Sequence, residues 1–148
     1  MKMTARALLP LLLAAAACPA WGAWEVLRAN NEVRVSIDPK SIKASDDDKA
    51  FSYMVDFRKP QGEATGQYRS IVVGASLRCK DKAISLTSYQ IYQGAGGDGV
   101  LLAMPEPSKE ERDFRPVEKG SSDEELYQRI CLNKKPAPTA AKAEPAKK

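Results

Sequence analysis

Polar and apolar side chains alternate along most of the middle of this chain. In FSYMVDFRK, Phe51, Tyr53, Val55 and Phe57 fall on one side, with Ser52, Asp56 and Arg58 on the other. That period of two belongs to a strand with one buried face. VRVSI repeats it through Val33, Val35 and Ile37, and IVVGASLRC sets Ile71, Val73, Ala75, Leu77 and Cys79 opposite Ser70, Ser76 and Arg78. Weaker strand signals run through WEVLRA (24–29), AISLTSYQIYQ (83–93) and GVLLAM (99–104). Asn30 with Asn31, Asp38-Pro39, the run Asp46 to Asp48, Pro60 with Gly62 and the glycines from Gly94 to Gly99 separate these segments as turns. Five or six strands with short polar connections and no helix-length crossover predict an antiparallel meander.

The period changes once, near the C-terminus. Ser122 followed by Glu125 predicts a capping box, with Asp123 and Glu124 in the positive first turn of a helix. Leu126, Tyr127, Ile130 and Cys131 then share one stripe at helical spacing. The expected fold class is α+β, a five- or six-stranded antiparallel sheet carrying a C-terminal helix. Cys79 looks inward from a strand and Cys131 from the helix, so a disulfide between them would pin the helix across the sheet. Closing a loop of roughly fifty residues is worth about 4 kcal/mol on the chain-entropy model.

The two ends differ from the middle. Lys2 and Arg6, the apolar block Ala7 to Ala17 and the small residues after it have the layout of a secretory signal peptide over residues 1–22. Two cleavage readings remain open. Cleavage after Gly22 discards Cys18, whereas reading AAAC as a lipobox makes Cys18 the acylated first residue. Either way an even pair of cysteines is left for an oxidising compartment. At the other end, residues 134–148 are rich in lysine, alanine and proline without apolar period, which predicts a disordered arm. One domain, residues 23–133, lies between them.

Charge changes the picture only after the ends are set apart. The chain carries a formal +4. Residues 1–22 contribute +2 through Lys2 and Arg6, and residues 134–148 contribute +4 through five lysines against Glu144, which leaves −2 for the domain. A domain so close to neutral lacks the basic footprint of a nucleic-acid binder. The tail reads first as a solubilising arm, and its sharper reading is a weak, salt-sensitive contact with anionic lipid headgroups or envelope polymers.

The chain contains no histidine. Ser-His and Cys-His nucleophile pairs, His-ligated zinc and the commonest general base near neutral pH are thereby removed. No enzyme activity, metal or cofactor is expected. GAGGDG (94–99) matches GxGxxG, but VLLAMPEP follows it where a dinucleotide site requires a helix, so it reads as a hairpin loop. Asp46, Asp47 and Asp48 lack the alternating spacing of a calcium loop and read as a solvated turn. The candidate binding aromatics are Tyr89, Tyr92 and Phe114.

DPKSIK (38–43), YMVDFRKPQ (53–61), YRS (68–70), Cys79, Tyr89 and the terminal FRPVEKGS with its later cysteine, read in order, resemble the surface-adhesin protein E-like domain. The resemblance covers about residues 24 to 133. It implies a proteobacterial envelope protein whose namesake is an outer-membrane lipoprotein that binds host matrix proteins. It also implies an antiparallel sheet with a C-terminal helix tied to it by the Cys79 and Cys131 pair. The expected function is an exported, adhesin-like binding protein of the periplasm or outer membrane, with a host or envelope macromolecule as partner. The alternative is a periplasmic structural or envelope-maintenance protein without a host ligand. Two unpaired sheet edges add the expectation of a homodimer.

Overall fold

The alternating segments become neighbours in one antiparallel sheet in the computed structural model, which describes residues 24–104, 108 and 111–135. The segment expected to be a signal peptide, with Cys18, and all of the expected tail except residues 134 and 135 lie outside the described residues. The strands are β1 (Glu25–Ala29), β2 (Val33–Ile37), β3 (Lys43–Ala44), β4 (Lys49–Gln61), β5 (Tyr68–Arg78), β6 (Ala83–Tyr92), β7 (Val100–Met104) and β8 (Arg115–Pro116), followed by α1 (Ser122–Ile130). The sheet order β1-β2-β4-β5-β6-β7 is the expected meander. Two-residue pairings of β3 on β4 and β8 on β6 complete it; both are too short to leave a period in the sequence.

Register turns the alternation into rows. Ile37 faces Tyr53, which faces Val73, then Tyr89, then Met104. The parallel row is Val35, Val55, Ile71, Ile91 and Leu102. One face of the sheet is therefore apolar across five strands. The other carries Ser36, Ser70, Ser76 and Ser85, all buried. Strand β4 runs through Pro60 to Gln61, farther than the turn signal at Pro60 suggests. A register break between Asp56 and Gln61 interrupts the ladder there, so the missing proline N–H costs no sheet hydrogen bond.

Helix α1 lies on the apolar face. Leu126, Tyr127 and Ile130 join Leu27, Ile37, Phe51, Tyr53, Ala75, Leu77 and Ile84 in one buried cluster. Its N-cap is Ser121, one residue earlier than the predicted Ser122, and the serine Oγ accepts from the Glu124 amide at 3.3 Å. The box is thus Ser121 with Glu124, whose carboxylate accepts from the Gly120 amide at 2.7 Å. The paired serines allow either start, and Leu126 is fully buried on the inward stripe. At the other end Asn133 adopts φ 52° while the Lys134 amide donates to the Gln128 carbonyl at 3.0 Å, which closes the helix.

The disulfide forms as expected. Cys79 and Cys131 are bonded with their Cα atoms 5.5 Å apart, within the usual range. Around it, Tyr127 Oη donates to the Cys79 carbonyl at 3.2 Å and Lys49 Nζ donates to the Ile130 carbonyl at 3.0 Å. The lysine meets the negative end of the helix, where a cation is favoured.

Candidate binding surface

The edge at β1 is closed. Arg129 on α1 grips Glu25 with two hydrogen bonds, both 2.7 Å. That pairing holds the Glu25 carboxyl below its ordinary range and pushes the Arg129 guanidinium up. Arg28 reaches Ser122 Oγ at 3.5 Å and Glu125 at 4.0 Å. Burial raises the Glu125 carboxyl, with Arg28 pulling the other way. A register shift between Val26 and Arg28 bends the strand as well. Charge, a bulge and a covering helix are the devices by which natural edges avoid added strands.

The edge at β7 shares the bulge, with a register shift between Ile91 and Tyr92 in its pairing with β6, but it has no charge. VLLAM carries no charge over five residues, and every one of them is exposed. Val100 is 63% exposed, Leu102 51% and Met104 53%. Among the described residues, strand β7 pairs with β6 on one side only. Its Leu102 and Met104 end the two apolar rows, so the lip continues inward over half-buried Ile91 and Tyr89. Helix α1 is anchored to β1 through Glu25, to β4 through Lys49, to the end of β5 through Cys79 and to β8 through Arg115, and none of these ties reaches β7. Deeper in the face, burial lifts the Tyr53 phenol far above its ordinary range, so it is a neutral core side chain at any physiological pH.

The candidate aromatics do not converge. Tyr89 points to the apolar face and packs beside the core, opposite Met104. Tyr92 lies on the other face, its hydroxyl donating to Gln90 Oε1 at 2.6 Å. Phe114 sits at the opposite end of the sheet beneath the Arg78 guanidinium, 3.9 Å from its centroid. Of the three, Tyr89 alone borders the open lip. In the sequence β7 is only an uncharged apolar run bounded by Gly99 and Pro105, which predicts a strand but not its place at the edge.

The glycine run is a loop folded over the polar face. Its Gly96 amide donates to Asp56 Oδ1 at 2.6 Å and its Gly97 amide to Ser70 Oγ at 3.0 Å, while Ser70 donates to the Gly94 carbonyl at 2.6 Å. Those amides serve the fold, and a carboxylate stands where a phosphate would have to sit. In the acidic turn, Asp48 accepts from Ser45 and lies 3.5 Å from Arg112. A cationic side chain already occupies that corner.

The model of the family surface-adhesin protein E matches residues 24–132, nearly every described residue. The chain belongs to this family. Solved structures of protein E share its fold. Protein E of Haemophilus influenzae is 21% identical with a TM-score of 0.54, covering 74% of this chain and 84% of that one. Protein E from non-typeable Haemophilus influenzae is 21% identical with a TM-score of 0.53, covering 83% and 84%. At that identity the likeness carries the fold alone. No curated protein matches at a significant level. Membership in a surface-adhesin family agrees with a domain that presents an exposed sheet edge.

Proposed function

We propose that this adhesin-family chain is an exported, non-catalytic binding protein of the bacterial cell envelope that holds a macromolecular partner along β7. The carrying observation is the exposed, uncharged edge of Val100 to Met104 beside the apolar lip. An extended segment of a partner adds there as one more strand. Its backbone gains the ladder hydrogen bonds that β7 leaves unmade, and alternate side chains meet Leu102, Met104 and Tyr89. The partner is a host matrix protein reached at the cell surface. A second copy offers the same edge, so β7 against β7 gives a homodimer that competes with partner binding.

The test uses the Leu102→Lys and Met104→Lys variants against immobilised matrix proteins, together with protease accessibility on intact cells. Loss of binding by folded variants and cleavage of the domain in intact cells support the reading. Full binding by both variants, or a domain shielded from external protease, overturns it in favour of a periplasmic structural role. Deleting residues 134–148 is expected to weaken attachment to anionic polymer at low salt and to leave specific binding intact at physiological salt. Mass spectrometry of the mature N-terminus distinguishes removal from acylation of Cys18.

A further inference from the structure

A second surface stands apart from β7, at the turn joining β1 to β2. There Asn31, Glu32, Val33, Phe57, Lys59 and Gln61 line a cleft of about 510 Å³. Its floor is apolar because Val33 and Phe57 are register partners on the same face of the sheet. The Phe57 ring is fixed by an edge-on contact with Tyr68, with centroids 5.8 Å apart and planes at 83°. The rim is equally fixed. Asn30 Oδ1 accepts from the Glu32 and Val33 amides, both at 2.8 Å, and the Arg58 amide ties the turn to β4 by donating to the Glu32 carbonyl at 2.8 Å. Gln61 Nε2 donates to the Lys59 carbonyl at 2.9 Å, which leaves its amide oxygen to accept. The side chains of Asn31, Glu32 and Lys59 make no hydrogen bond or ion pair among the described residues.

We propose that this cleft binds an uncharged saccharide unit. A pyranose ring presents an apolar C–H face and a belt of hydroxyls that both donate and accept. Phe57 with Val33 matches the face. Asn31 and Gln61 amides match the belt, since a carboxamide carries donors and an acceptor together. Glu32 adds an acceptor and Lys59 a donor. Their opposite charges on one rim disfavour an anionic ligand at the first and a cationic ligand at the second. Four polar side chains around the floor would lose water without return beneath a purely apolar ligand. The volume lies in the ordinary range for small-ligand sites. The site opens beside β1 and β2 and does not depend on what occupies β7.

The test is an NMR titration of the full mature chain with three probes: a tetramer of N-acetylglucosamine, a lactosamine tetramer and cellotetraose. Saturable shifts centred on Asn31 to Val33 and Phe57 to Gln61 are expected with at least one. The first probe reports the chemistry of an envelope glycan backbone and the second that of host surface glycans. Asn31→Ala, on an exposed turn, is expected to weaken binding about fivefold, the loss of one hydrogen bond. Phe57→Leu keeps an apolar floor but removes the ring, and is expected to weaken it up to about tenfold. Leu102→Lys is expected to leave saccharide binding unchanged. Absence of shifts with all three probes, shifts centred elsewhere, or unchanged affinity in both Asn31→Ala and Phe57→Leu overturns the assignment.

Discussion

Two edges bound this sheet, and they are built in opposite ways. At β1, Glu25 and Arg28 are tied to the helix by Arg129, Ser122 and Glu125, and the strand is bent by a bulge. At β7, which also carries a register shift, five consecutive residues carry no charge and stand exposed. Both edges hold unpaired backbone groups, so the difference lies in what the sequence spends charge on. The lesson is that charge has been spent unequally along the sheet: ion pairs tie β1 to the helix, the disulfide fixes the helix to the end of β5, and β7 is left uncharged and exposed.

That arrangement can be broken most severely at the disulfide. Replacing Cys79 and Cys131 together by serine is expected to destabilise the domain by about 4 kcal/mol, read from denaturant unfolding. A loss below about 1 kcal/mol would mean that the helix is held without it.

Leucines on the two sides sharpen the contrast. Leu126 is fully buried and Leu102 half exposed. Leu126→Ala should cost about 2–5 kcal/mol in thermal or denaturant unfolding, and Leu102→Ala no more than about 0.5 kcal/mol. Equal costs would show that β7 is part of the core and not an open edge.

The ion pair at β1 gives a smaller, pH-dependent signal. Arg129 lowers the Glu25 carboxyl, so the folded state binds fewer protons than the unfolded state in the acid range. Its contribution is complete above the ordinary value of 4.5 and fades as pH falls through the lower folded value. Glu125 acts with opposite sign, because burial raises it and the folded state keeps that proton longer. Glu25→Gln is expected to cost about 1 kcal/mol at neutral pH, with the difference from wild type shrinking as the pH drops below 4.5. A difference that is constant with pH would remove Glu25 as the titrating partner. The smallest stability effect belongs to Leu102→Lys, at most about 0.5 kcal/mol, although it is the substitution expected to abolish partner binding.

Much of this architecture is legible in the sequence. Period two in residues 51–59 and 71–79 places Phe51, Tyr53, Val73 and Leu77 on one face, and register then aligns them. Cys79 and Cys131 are readable because each sits on an apolar stripe. The first residue of the helix is not: Ser121 and Ser122, each with a glutamate three residues on, are equivalent caps by composition. Alternation does place Tyr89 and Tyr92, three residues apart, on opposite faces of β6, but local pattern does not show that Phe114 lies under Arg78, since that depends on a return strand of two residues. The openness of β7 is hidden for a related reason. Being an edge is a property of the whole strand order, and the run VLLAM would look the same in the centre of a sheet.

The most direct measurement of the central claim is segment-resolved amide hydrogen exchange of the mature chain, alone in dilute solution and with a bound matrix protein. Dilute protein is expected to exchange quickly along Val100 to Met104 and slowly along β4 and β5. Binding is expected to slow exchange in β7 and leave Glu25 to Ala29 unchanged. Partner binding that protects β1, or that leaves β7 exchange unaltered, would contradict the account.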